Sequence, residues 1–271
     1  MALNVGSEVA ARPKMLSRAT PPIIAIVNQK GGVGKTTTAI NLGAALAELG
    51  HHTLLVDLDP QANSTSGLGF DPTRARLSVY QLLTGEASVD ETALATGAQG
   101  LQLIPSHIDL AGAEIELAGA AERETLLRKA LANMPAEFEC VLIDCPPSLG
   151  LLTLNALTAA TDMLIPTQCE YFALEGLRHL LYTHQLVRSR FNPTLAIAGI
   201  VMTQFDARTT LSWDVLESVR RSHPHQILQT LIPRNVRISE APSHGKSVID
   251  YDPTCRGAAA YRALAKELLE R

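Results

Sequence analysis

At 271 residues, 46% of them apolar, the chain can form one large α/β domain or two small ones and has ample material for a core. Aromatics make up only 4%, so Ala, Leu, Ile and Val must fill that core, and the net charge of −4 argues against a general nucleic-acid binder. No apolar run approaches the roughly 20 residues of a membrane span, and the first residues lack the apolar centre of a secretory signal. Cys140, Cys145, Cys169 and Cys255 show neither C-x-x-C pairing nor a His at zinc spacing, a usage that suits a reducing cytoplasm.

Residues 1–20 are small, polar and non-periodic, which predicts a disordered arm ahead of a single domain over 21–271. The β-branched run at 23–27 predicts a first strand. After glycines at 31, 32 and 34, a helix is expected from Lys35 to about Leu49, with Ile40, Leu42 and Leu46 near one face and Gly50 as its stop. A second buried strand, 53–57, ends in Asp57-Leu58-Asp59, and a loop rich in Gly, Ser, Asn and Thr is expected over 61–73. Short helices are expected at 77–84 and 87–95 and a strand at 101–104. A helix over 109–133, broken near Gly119, would bury Ile115, Leu117, Leu126, Leu127 and Leu131 and offers a candidate partner surface. The strand at 140–144 again ends in a carboxylate, Asp144. Helices at 149–160, 172–189, 210–221 and 257–270 then alternate with strands at 163–167, 196–203 and 227–232. Strands alternating with helices imply right-handed crossovers and a mostly parallel, twisted sheet with helices on both faces, an α/β single domain that the glycine loop at 30–36, taken up next, makes a P-loop NTPase fold.

The stretch from Ile23 to Thr38 carries the chemistry. A strand that stops at Asn28, a glycine loop and a helix start allow backbone N–H groups of Lys30, Gly31, Gly32, Val33, Gly34, Lys35, Thr36 and Thr37 to face a triphosphate. Lys35 would reach the β- and γ-phosphates, and the Thr36 hydroxyl would take one Mg²⁺ position. In a parallel sheet ligands sit off the carboxyl ends of the strands, where Asn28, Asp57, Asp59 and Asp144 also lie. Phosphoryl transfer to water needs neutralised phosphates, a held metal and an oriented nucleophile. Lys35 and the loop amides supply the first. Thr36 and Asp144, with Asp57 nearby, are candidates for the Mg²⁺ shell, and Asp59 for positioning the attacking water.

The loop departs from G-x-x-x-x-G-K-[ST], since Gln29 stands where the first glycine is usual and a second lysine, Lys30, heads Lys-Gly-Gly-Val-Gly-Lys-Thr. That variant resembles the deviant Walker A of the ParA/MinD ATPases. Val-Asp-Leu-Asp-Pro-Gln (56–61), Leu-Ile-Asp-Cys-Pro-Pro-Ser (142–148), Glu-Tyr-Phe-Ala-Leu-Glu-Gly (170–176) and Ile-Pro-Arg-Asn-Val-Arg-Ile-Ser-Glu-Ala-Pro-Ser-His-Gly-Lys (232–246) look like ParA/Soj chromosome-partitioning ATPases, over roughly residues 22–270. The resemblance implies an ATP-dependent homodimer that sandwiches two nucleotides, with Lys30 reaching the partner's phosphates. It also implies nucleoid association through non-specific double-stranded DNA, and release when a ParB-type partner stimulates hydrolysis. Asp59 matches the family's water-orienting aspartate, and Pro233 is expected to border the adenine. Arg208 matches a DNA-contacting position, with Arg234, Arg237 and Lys246 candidates for the same surface. From Arg178 to Arg237 eight arginines face Asp206, Asp214 and Glu217, a local excess of +5 that agrees with this. Too few residues precede the first strand for a helix-turn-helix domain, so an operator-binding role is not expected. A MinD-like membrane-cycling ATPase is the alternative. It needs a lysine-rich amphipathic C-terminal helix, whereas Ala258–Arg271 is alanine-rich with Glu267 and Glu270 and reads as a helix packed on its own domain, with no membrane partner.

Overall fold

Buried strands in this chain are apolar nearly end to end, as expected of a parallel sheet covered on both sides. The computed structural model describes residues 20–271, so the arm expected over 1–20 lies, but for Thr20, outside the described residues. The chain runs β1 (Ile23–Ile26), α1 (Lys35–Glu48), β2 (Thr53–Asp57), α2 (Asn63–Gly67), α3 (Val79–Thr84), α4 (Val89–Thr92), β3 (Leu94–Ala95) and β4 (Leu101–Ile104). It continues through α5 (Leu110–Glu116), α6 (Leu126–Leu131), β5 (Cys140–Asp144), α7 (Leu151–Ala159), β6 (Asp162–Gln168) and α8 (Ala173–Arg190). It closes with β7 (Ala196–Phe205), α9 (Thr210–Ser222), β8 (Ile227–Pro233), α10 (Val236–Glu240), α11 (Val248–Tyr251) and α12 (Arg256–Glu270).

The strands form one sheet in the order β3-β4-β2-β5-β1-β6-β7-β8. Every neighbouring pair is parallel except β3 with β4. β1 sends the chain one way, to β2, while its neighbour β6 sends it the other way, to β7. Their carboxyl ends therefore open a crevice at mid-sheet.

Side chains alternate across the sheet, so each strand feeds two cores. Ile24, Ile26, Leu55, Leu142 and Val201 meet α1 and α12 on one face. Ala25, Val27, Val56, Ile143 and Met202 meet the layer that includes α3, α6, α7 and α9 on the other. α12 lays Ala258, Tyr261, Leu264, Ala265 and Leu268 into the first core, so its apolar side is already covered. Glu267 on that helix accepts the backbone N–H groups of Gln229 (2.7 Å) and Thr230 (2.9 Å), which satisfies donors of the edge strand β8.

Four expectations are corrected. The segment at 87–95 is one helical turn, capped by Ser88 and Glu91, followed by the edge strand β3. The helix over 109–133 is α5 and α6 separated by two 3₁₀ turns and an extended Ala120, and Ile115, expected in the core, is 81% exposed. The loop at 61–73 contains α2. The run at 234–252 carries the short helices α10 and α11, which the sequence pattern did not predict.

Candidate nucleotide site

Asn28, two residues past the end of β1, ties the loop that follows to the neighbouring strand. Its Nδ2 donates to the Pro166 carbonyl (2.7 Å) and its Oδ1 accepts the Lys30 N–H (3.0 Å). Gly32 and Gly34 hold φ of 76° and 87°, a region where a Cβ is strained. A Cβ at Gly31 or Gly32 would meet nothing within 4 Å, so the loop borders open space. α1 starts directly behind it with Gly34 at the N-cap, no side-chain cap and no acidic residue in its first turn. The N–H groups that a helix start leaves unpaired are thus available to an anion.

Lys35 is nearly buried, and its Nζ donates to the Lys30 carbonyl at 3.3 Å. Burial pulls its pKa down, while Asp144 and Asp59 work to restore the charge. Asp57 and Asp144 are directly opposite each other on β2 and β5 and are fully buried. Burial raises the pKa of both, and for Asp57 the Asp144 charge adds to it.

The two carboxylates have different surroundings. Asp57 Oδ2 accepts the Thr65 N–H (2.8 Å) and hydroxyl (2.6 Å), and its Oδ1 accepts the Asp59 N–H (3.3 Å). Asp57 therefore organises the turn into α2, with both its oxygens engaged. Asp144 Oδ2 accepts the Ser64 hydroxyl (2.8 Å), but its buried Oδ1 has no hydrogen-bond partner of normal geometry among the described residues. Thr36 lies close enough to favour the charged form of Asp144. An orphaned anionic oxygen beside a hydroxyl and a lysine fits a divalent cation that keeps part of its water shell. Asp59, nearly buried, accepts the Gln61 N–H at 2.9 Å.

Lys30 points elsewhere. Its ammonium pairs with Glu170, in the loop after β6, instead of entering the cradle that Lys35 occupies. The next residues, Tyr171 (81% exposed) and Phe172 (67% exposed), stack edge to face at the surface. Ile108 and Leu149, in the segments after β4 and β5, are exposed on the same rim of the sheet.

At the ends of β6 and β7, Gln168, Gln204, Asp206, Thr209 and Arg234 line a cavity of about 250 Å³. Arg208 grips Asp206 with both Nε (2.9 Å) and a terminal nitrogen (2.7 Å). These bonds hold the Asp206 carboxyl down at about 2. Trp213 donates to the Ala207 carbonyl (3.0 Å) and packs edge to face on Phe205, which fixes this loop. Pro233 ends β8 beside Phe205, and the Arg234 N–H donates to the Phe205 carbonyl (3.0 Å). Arg208 does not itself line that cavity, but Asp206, which it grips, and Arg234 do. Arg237 and Lys246 do not line that cavity, and Arg237 is engaged by Glu240 (2.9 Å) and Asp252 (3.3 Å).

Ser64, Thr65, Thr203 and Gln204 were not among the residues expected at the site. The signal for the first two was a hydroxyl-rich run directly after the Asp57-Leu-Asp59 strand end. For Gln204 no local signal exists.

An AAA domain family model matches residues 22–197. The chain is 53% identical to the sporulation initiation inhibitor protein Soj of Bacillus subtilis over 91% of its own length and 97% of that protein. It is 51% identical to the chromosome partitioning protein ParA of Caulobacter vibrioides, covering 92% of this chain and 94% of that one. Among solved structures, one described as cobyrinic acid a,c-diamide synthase from Mycobacterium smegmatis, with bound ADP and magnesium, superposes with a TM-score of 0.82. It shares 42% identity and covers 92% of this chain and 94% of that one.

Proposed function

The chain belongs to the ParA/Soj family of chromosome-partitioning ATPases, and on that premise we propose that it is a nucleotide switch: monomeric without ATP, dimeric with ATP, and bound to DNA only as the ATP dimer. The observation that carries this reading is the division of labour between two lysines. Lys35 fills its own cradle, whereas Lys30 faces outward at Glu170 beside exposed Tyr171 and Phe172. A second copy placed on that rim would cover the aromatics and receive Lys30 at its phosphates.

In this reading the loop amides and Lys35 hold the triphosphate. Thr36 would hold a Mg²⁺ ion, with Asp144 beside it, and the ion would supply charge that neutralises the phosphates. Asp59 orients a water whose oxygen attacks the γ-phosphorus, and the bond to the β–γ bridging oxygen breaks to give ADP and phosphate. Lys30 of each protomer stabilises the charge developing in the other site. Asp57 serves the architecture of the turn into α2 rather than the metal. Arg208 and Arg234 contact DNA phosphates, which gives sequence-tolerant, salt-sensitive binding. Two such surfaces on one dimer act together, so dimerisation alone raises affinity. A ParB-type protein stimulates hydrolysis and resets the switch. A membrane role is disfavoured because the apolar side of α12 is taken up by α1 and β8.

The mass of the protein in solution tests the switch. With a non-hydrolysable ATP analogue the wild-type mass should double relative to ADP, and Lys30→Ala should remain monomeric while still binding nucleotide. A Lys30→Ala protein that dimerises like the wild type would remove the cross-subunit role.

A further inference from the structure

The carbonyl groups of the nucleotide loop are held from behind by the end of β7. Thr203 Oγ1 donates to the Val33 carbonyl (2.8 Å) and Gln204 Nε2 to the Gly32 carbonyl (2.8 Å). Among the described residues all peptide bonds are trans, and in a trans peptide the C=O and N–H point in opposite directions. Pinning the Gly32 oxygen toward β7 therefore aims the Val33 N–H away from β7, and pinning the Val33 oxygen does the same for the Gly34 N–H. These are amides that a phosphate-binding loop needs turned inward.

Gln204 is built for this task at a local cost. It sits at φ 51°, one of three described non-glycine residues in the left-handed region. Its amide is oriented from the far side: Gln168 Nε2 donates to Gln204 Oε1 at 3.1 Å. With the oxygen so occupied, only the NH₂ end of Gln204 faces Gly32. Strain at a polar residue whose side chain has a single directed partner on each end marks a position held for function rather than packing.

We propose that Gln204 is a positioning residue for nucleotide binding, which sets the peptide plane between Gly32 and Val33 from outside the loop, with Gln168 fixing its amide. This inference requires nucleotide binding by the single chain and does not depend on dimerisation or DNA.

The test compares Gln204→Glu, which keeps the shape but loses the donor, with Gln204→Gly, which relieves the backbone and also loses it. Equilibrium binding of a fluorescent ADP, which needs no partner subunit, is measured alongside the KM and kcat for ATP. Both variants should weaken ADP by about tenfold, from one lost hydrogen bond and a misaligned amide, with the loss falling on KM rather than kcat. A merely structural role would lower kcat and the melting temperature together and leave KM in place. Gln168→Leu, which leaves residue 204 untouched, should show a smaller shift of the same kind and serves if the position-204 variants do not fold. Wild-type ADP affinity in the Gln204 variants, or in Gln168→Leu if only that one folds, would overturn the proposal. Loss of DNA binding without loss of ADP affinity would overturn it too, since it would place Gln204 in the DNA surface instead.

Discussion

Replacing Asp206 by asparagine should make the protein bind DNA more tightly, because Asp206 now cancels the charge of Arg208. The Arg208 side chain is 86% exposed, yet its guanidinium is committed to both Asp206 oxygens, at 2.9 and 2.7 Å. The introduced amide would keep an oxygen for the Arg208 N–H, bonded at 3.1 Å in the wild type, so the loop should hold its shape. Each protomer then offers phosphates one more uncompensated positive charge, and the proposed dimer two. Each phosphate charge neutralised adds about −0.9 to the slope of log affinity against log salt. Two add about −1.8, which over a fourfold salt range from 50 to 200 mM amounts to roughly twelvefold. The assay is fluorescence anisotropy of a labelled random-sequence duplex with a non-hydrolysable ATP analogue across that range. Arg208→Ala should move the slope the opposite way by a similar amount. With a carboxyl pKa near 2, Asp206 loses its charge only as pH falls through that value. The effect of Asp206→Asn should therefore be the same at pH 6 and pH 8. Identical slopes for wild type, Asp206→Asn and Arg208→Ala would place the DNA surface elsewhere.

Asp59→Ala should cut ATP turnover by about 100-fold with nucleotide affinity retained, and should leave a long-lived ATP dimer; turnover at the wild-type rate would remove the water-orienting role. Thr65→Val deprives the fully buried Asp57 of a hydroxyl at 2.6 Å and the Ser106 N–H of its acceptor at 2.9 Å. Urea unfolding without nucleotide should show a loss of about 2–3 kcal/mol, and a loss under about 0.5 kcal/mol would contradict the role given to that turn. Tyr261→Ala opens a cavity under α12, at a side chain only 1% exposed. It should cost about 3–5 kcal/mol without creating affinity for anionic liposomes, whereas unchanged stability would mean that α12 is not an integral part of the core.

Much of the site was legible because three strand ends carry polar residues, a parallel sheet sends all such ends to one rim, and the glycine loop brings Lys35 to the same rim. Asn28, Lys35, Asp59 and Asp144 could be placed together from the sequence alone. What escaped depended on partners distant in sequence. Gln204 meets Gly32 across 172 positions, and nothing near either residue announces the bond. α2 was read as a loop because Asn-Ser-Thr-Ser-Gly has weak helix propensity. The helical turn exists because the buried Asp57 carboxylate captures both the N–H and the hydroxyl of Thr65. Ile115 was assigned to a buried helical stripe, but α5 turns Leu110 and Ala113 into the core and leaves Ile115 on its solvent side. Asp57 was expected near the metal shell; what the sequence did not announce is the turn into α2, whose donors reach both of its oxygens. Arg237 illustrates the limit of counting charge along a sequence, since Asp252, beyond the counted window, helps to neutralise it.

In the proposed switch ATP, and not ADP, licenses DNA binding. Retention of the wild-type protein on random-sequence duplex DNA, with ATP, ADP or no nucleotide and with anionic liposomes in parallel, tests it most directly. The switch predicts retention with ATP alone, fading as salt rises, and no liposome binding. Equal retention in all three nucleotide states, or ATP-dependent binding to liposomes but not DNA, would contradict it.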